Sequence, residues 1–139
     1  MDDQYLYFSY LLHGDLRQYN ISDTSNPRLT GQVWLGGLLG KAPEVNGLEI
    51  NGAPQMIQLS LDGKRLFVTT SLFSTWDNQF YPKMKDNGGQ LLIVDCDVEN
   101  GGMVIRDDFA IDFGQEPHGP SRAHETRYPG GDCSSDIWV

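Results

Sequence analysis

The sequence predicts an all-β protein built from short strands and turns. Two observations carry that prediction. No segment keeps a 3.6-residue apolar period over three turns, so helix is minor. Short apolar or alternating runs recur between turn signals, and sixteen Gly and seven Pro supply those turns. A globule of 139 residues buries about two thirds of its unfolded surface, enough for one modest core.

In chain order, residues 5–12 are aromatic and branched and read as a strand buried on both faces. Such a strand needs neighbours, and nothing upstream supplies one, so the chain reads as cut from something larger. His13-Gly14-Asp15 is a turn. Residues 16–21 alternate as a half-exposed strand should, and 28–35 form a third strand. Residues 36–54 hold Gly without period and read as a surface loop. A second round follows: strand 55–60, a turn centred on Asp62-Gly63, and strand 65–72. Residues 73–89 are a polar-aromatic excursion. It reads as a loop packed on its own sheet, the alternative being a roof over a small apolar pocket. Strands at 90–96, 103–106 and 109–113 complete the round. A Tyr128-Pro129-Gly130-Gly131 turn then leads to a short apolar strand at 136–139. The two rounds repeat weakly: residues 2–9 align with 61–69 as acidic turn, spacer and apolar strand. The offset of about 60 residues suits β-propeller blades with insertions, and a repeat this weak also suits a sandwich.

Composition excludes several classes. A net charge of −9 argues against a nucleic-acid partner, which needs a basic patch. No basic run makes a polybasic anchor, and no apolar stretch nears the ~18 residues of a membrane span. The acidic start lacks the basic region of a secretory signal. Cys96 and Cys133 cannot build a disulfide framework and read as reduced thiols of a cytosolic protein. Cys96 alternates with Val94 and Val98 and is assigned to the core. Cys133 lies between Asp132 and Asp136, with no cation to activate it.

The histidines are His13, His118 and His124, and their spacings of 105 and 6 residues match no compact zinc pattern. Asp15 and Glu125 adjoin two of them and could orient an imidazole, or equally cap a turn and face solvent. Arg127 is placed to pair with Asp132 across the Pro-Gly-Gly turn.

Long ungapped words add a resemblance. They are 12–19 (from Leu12-His13-Gly14-Asp15), 54–66, Trp76 with Gln79-Phe80-Tyr81-Pro82, Ala123-His124-Glu125, and 127–138. In this order they resemble the selenium-binding protein family, often described as methanethiol oxidases. The resemblance covers nearly the whole chain and implies an all-β, β-propeller-type fold. Residues 1–139 would be its C-terminal portion, about two blades of a larger ring, unstable or aggregation-prone alone because its edges are uncovered. Against the family's pattern the 36–54 loop looks short.

For the intact protein the resemblance implies a copper-dependent oxidase. It would turn methanethiol, O2 and water into formaldehyde, hydrogen sulfide and hydrogen peroxide. Carried over by motif, His13 and His124 would hold the metal, with Asp15 and Glu125 behind them and further ligands in N-terminal blades. His118 is left out, and no residue is assigned to the chemical step itself. Cys133 is a candidate for selenium or thiol contact, the family's usual selenium cysteine lying nearer the N-terminus. The rival expectation is a non-catalytic propeller that carries selenium or binds proteins, with a role in redox handling or intracellular transport. Either way the expected setting is the cytosol, with nuclear or peripheral-membrane association left open.

Overall fold

The computed structural model describes residues 4–129. Cys133, Asp132 and the expected strand at 136–139 lie outside the described residues. The first sheet is an antiparallel meander of β1 (Tyr5–Tyr10), β2 (Asp15–Asn20) and β3 (Arg28–Trp34), in the order β1-β2-β3. A two-residue ladder pairs β4 (Glu44–Val45) with β5 (Leu48–Glu49). The second sheet is a four-stranded antiparallel meander: β6 (Ile57–Leu59), β7 (Arg65–Thr69), β8 (Gln90–Cys96) and β9 (Met103–Asp112). Two short helices, α1 (Ser74–Phe80) and α2 (Met84–Asn87), sit in the β7–β8 connection, and a 3-10 turn spans Phe113–Gln115. Both sheets are open, and no described helix is long and apolar enough to cross a membrane.

The two sheets share one core. Leu16 and Val33 of the first pack in the same cluster as Leu66, Val68, Leu92 and Val94 of the second, with Val45 and Ile50 between. Each fully buried leucine contributes about 1.5–3 kcal/mol relative to exposure. Gln18 stitches the sheets through polar bonds. Its Oε1 accepts from the Gly102 amide at 2.7 Å and the Thr30 hydroxyl at 2.8 Å, and its Nε2 donates to Tyr7 Oη at 3.1 Å. Gln18 has no exposed surface, so these partners replace the water it loses.

The expected strands at 16–21, 28–35, 65–72 and 90–96 form within a few residues of their predicted limits. The repeat places β1 on β7, and each opens a run of three neighbouring strands, β1-β2-β3 and β7-β8-β9. Other expectations change. The strand at 5–12 is not buried on both faces: β1 is an edge strand, with Leu6 41% and Phe8 45% exposed. Aromatic composition alone could not separate a two-sided burial from an edge. Residues 36–54 are not a surface loop throughout, because Val45, Ile50 and Ala53 are buried, Val45 and Ile50 within the main core. The strands at 103–106 and 109–113 are one strand, β9, carried across an irregularity where the register steps from Val94–Ile105 to Leu92–Ala110.

The 73–89 excursion is packed, as expected, but it folds as two short helices where a loop was read, and it also meets Ala53 and Leu11 outside its own sheet. The Trp76 and Phe80 rings lie 5.1 Å apart, and Phe80 borders a small cluster of Ala53, Tyr81 and Met84. At this end the backbones touch. A Cβ on Gly14 would lie 2.2 Å from the Gly36 oxygen, and one on Gly52 would lie 2.2 Å from the Thr70 oxygen. Both residues have positive φ, +93° and +88°, which glycine alone adopts cheaply. The β1–β2 turn, the 36–54 segment and the end of β7 are thereby stacked without side chains between them.

Candidate histidine sites at one end of the sheets

The β1–β2 turn carries His13. Its geometry is fixed by the Gly14 amide donating to the Tyr10 carbonyl at 2.7 Å and by the stacked glycines. Asp15, the first residue of β2, lies fully buried, yet it is saturated with donors. His13 Nδ1 meets its Oδ1 at 2.6 Å, while Arg17 Nε (2.7 Å) and Gln32 Nε2 (2.6 Å) donate to Oδ2. Burial alone would push the Asp15 carboxyl up. The bonds from His13, Arg17 and Gln32 outweigh it and hold the carboxyl below its ordinary value. An ionised carboxylate only accepts, so Nδ1 of His13 carries the proton and Nε2 keeps its lone pair when the ring is neutral. The ring leans on Trp34, 4.9 Å between centroids, and Lys41 Nζ sits 4.3 Å from the same indole. The imidazole itself is 45% exposed.

His124 lies in the irregular segment after the 3-10 turn. Its carbonyl accepts from Thr69 Oγ1 at 2.6 Å, and its Nδ1 donates to the Leu72 carbonyl at 2.7 Å. A carbonyl also only accepts, so this ring too is fixed with Nε2 as the lone-pair nitrogen. His124 is exposed and borders a cavity of about 380 Å³ with Ser71, Leu72, Phe73, Ser74 and Arg122. The β1–β2 turn and the β7–β8 connection meet at this end, where Tyr81 Oη donates to the Leu11 carbonyl at 3.1 Å. Burial, with Asp77 adding to it, pushes the Tyr81 phenol up to about 12.

Of the carboxylates expected behind the histidines, Asp15 is bonded to His13. Glu125 instead pairs with Arg127 at 3.0 Å, and the group behind His124 is the Leu72 carbonyl. That carbonyl carried no signal in the sequence, because any residue presents one. His118 is exposed in the 116–120 loop. Cys96 is buried, as expected for the core, and burial pushes its thiol up to about 11.

The donor chemistry suits a borderline metal such as copper or zinc. Two exposed imidazoles are each oriented through Nδ1, the arrangement common behind metal-bound histidine. Among the described residues, however, no group of three or more His, Cys, Asp or Glu could hold an ion. The described residues therefore fit as part of a ligand set and not as a whole one.

Comparison with known proteins identifies the relatives. The family described as 56kDa selenium binding protein (SBP56) matches residues 1–139. Selenium-binding protein 1 of Arabidopsis thaliana is 54% identical over 156 aligned positions, covering 100% of this chain and 32% of its own. Methanethiol oxidase of Homo sapiens is 55% identical, covering 100% of this chain and 33% of its own. The crystal structure of a hypothetical selenium-binding protein from Sulfolobus tokodaii superposes with a TM-score of 0.82 at 44% identity, over 99% of this chain and 29% of that one. The chain spans about a third of the length of these curated relatives.

Proposed function

The chain belongs to the 56kDa selenium binding protein family, and from that premise we propose that it supplies two histidines to the copper site of a β-propeller methanethiol oxidase. The intact reaction converts methanethiol, O2 and water to formaldehyde, hydrogen sulfide and hydrogen peroxide, which balances in every atom. Human and rat relatives carry the name methanethiol oxidase. The observation that carries the reading is the pair of Nδ1 anchors: His13 on Asp15 at 2.6 Å and His124 on Leu72 at 2.7 Å. Each anchor selects one tautomer and leaves Nε2 for a ligand.

In this reading His13 and His124 would hold the metal, and bound copper would supply one-electron exchange between a thiolate sulfur and oxygen. The chain's own contribution is orientation. Asp15 keeps a negative charge behind His13 and fixes the tautomer and direction of its ring. Trp34 limits rotation of the same ring. Glu125 pairs with Arg127, which offsets its charge, and the His124 Nδ1 bond goes to the Leu72 carbonyl. The remaining ligands would come from the other two thirds of a ring in which the two sheets described here are neighbouring blades.

The test uses the full-length protein beside its His13→Ala/His124→Ala double variant, measuring bound copper and peroxide release on methanethiol addition. Stoichiometric copper lost together with turnover supports the oxidase. Full copper and full turnover in the double variant would remove both histidines from the site. The second reading, a non-catalytic selenium carrier or protein-binding propeller, is favoured by relatives named only as selenium-binding proteins. Wild-type protein that binds no copper and releases no peroxide even after copper loading would select it.

A further inference from the structure

The segment that carries His124 belongs to no strand or helix, yet its imidazole has one defined direction. The Thr69 hydroxyl anchors the backbone carbonyl of residue 124 but leaves the ring free to turn. Ring direction rests on the Leu72 carbonyl, and so on how the backbone of Leu72 is held.

Asp77 of α1 holds it. This carboxylate has no exposed surface and accepts from Leu72 N at 3.1 Å and from Ser71 Oγ at 2.6 Å. The same carboxylate faces Arg122, whose Nη1 lies 3.5 Å from Asp77 Oδ2. Arg122 Nη2 donates to Asn78 Oδ1 at 2.6 Å and to the Met84 carbonyl at 2.7 Å. The Arg122 side chain is only 11% exposed, although it lies two residues from His124 in an irregular segment. The contacts close a ring: Asp77 to the Leu72 amide, the Leu72 carbonyl to His124, His124 along the chain to Arg122, and Arg122 back to Asp77.

We propose that Asp77 and Arg122 are positioning residues for His124, fixing its Nδ1–H tautomer and the outward direction of Nε2 through this closed circuit. The proposal rests on the reading of His124 as a metal ligand for its functional meaning, and on the hydrogen bonds and the Asp77–Arg122 ion pair for its geometry. An ordinary structural clasp would need neither the shared carboxylate nor its bond to the backbone N–H of the same residue whose carbonyl receives the imidazole. A buried pair also resists loss of either partner, because the other is left charged and poorly solvated.

The experiment uses full-length protein labelled with ¹⁵N-histidine. The His124 resonances are identified by their absence in His124→Ala, and the variants are Asp77→Asn and Arg122→Gln. Gln18→Ala serves as a control destabilised at the far side of the sheets. Expected are a single Nδ1–H tautomer in wild type and in Gln18→Ala, and mixed tautomers in both circuit variants. Copper affinity should fall about tenfold or more in the circuit variants, the usual scale for losing support behind a ligand. Unchanged tautomers in both circuit variants, or equal mixing in Gln18→Ala, would overturn the proposal. Should Arg122→Gln fail to fold, the near-isosteric Asp77→Asn reads the circuit from its other side. If the tautomer mixes in the circuit variants while His124→Ala binds copper as wild type does, the positioning stands and the copper reading falls.

Discussion

His13 Nδ1 lies 2.6 Å from Oδ1 of Asp15, a carboxylate with no exposed surface and two further donors on its other oxygen. The pair ties a solvent-facing imidazole to the first residue of a core strand. Movement of the turn is thereby resisted by the sheet.

Asp15→Ala should destabilise the full-length protein by about 2–3 kcal/mol, because Gln32 and Arg17 lose their acceptor. Asp15→Asn should cost less and still weaken metal binding. The pH dependence has a defined sign. The folded carboxyl lies below its ordinary value, so its contribution is present above the unfolded pKa of about 4 and is lost as pH falls through the lower folded value. Urea titrations across the acid range should show a shallower acid limb in Asp15→Asn than in wild type. An identical limb would mean the three donors do not stabilise the charge.

Cys96 behaves in the opposite sense. Its thiol rises from an ordinary 9.0 to about 11 in the fold. The neutral form is favoured there, so stability is full below pH 9 and declines toward pH 11 as the unfolded chain ionises first. A maleimide reagent at neutral pH should leave Cys96 unmodified in native protein and label it after denaturation, read by peptide mass spectrometry. Rapid native labelling would contradict its burial.

Gln18→Ala removes the acceptor of the Gly102 amide and the Thr30 hydroxyl, and the donor to Tyr7. The expected loss is about 2–4 kcal/mol, with both sheets loosening together. Hydrogen exchange should show protection falling at Gly102. If only residues near Gln18 lose protection, the side chain supports its own strand and not the junction.

The chain expressed alone should self-associate. Leu6 and Phe8 on β1, and Val104 (68% exposed) and Ile111 (42% exposed) on β9, present exposed apolar side chains on the edge strands of the described sheets. Light scattering should show mass rising with concentration, and Leu6→Lys/Phe8→Glu should lower it. A monomer at all concentrations would show that these edges are not adhesive.

The sequence and the structure agree where information is local. The 90–96 strand, alternation in 16–21 and the Asp62-Gly63 turn depend on neighbours within a few residues, and each formed where expected. For Asp15 the sequence left two readings equally open, an imidazole partner or a turn cap, and the structure forms the contact with His13. What could not be read was everything set by packing. Nothing in residues 5–10 says that one face is left uncovered, because aromatic strands occur at edges and in cores alike. Glu125 adjoins His124 in sequence, but an irregular backbone turned it toward Arg127. The partnership of Asp77 with Arg122 joins residues 45 positions apart by sequence numbering, and no spacing rule connects them.

The stacked backbones of Gly14, Gly36, Gly52 and Thr70 bear on how this protein would answer a mutational scan. Replacing side chains one by one with alanine looks for what is missed when atoms are taken away. Here the contact consists of atoms that were never there. The same substitution at Gly14 adds a methyl group 2.2 Å from a carbonyl oxygen, one residue from an imidazole that the substitution does not alter. A loss of ligand binding mapped to this turn would thus report crowding, and it would trace back through the bare backbone to segments that touch no ligand.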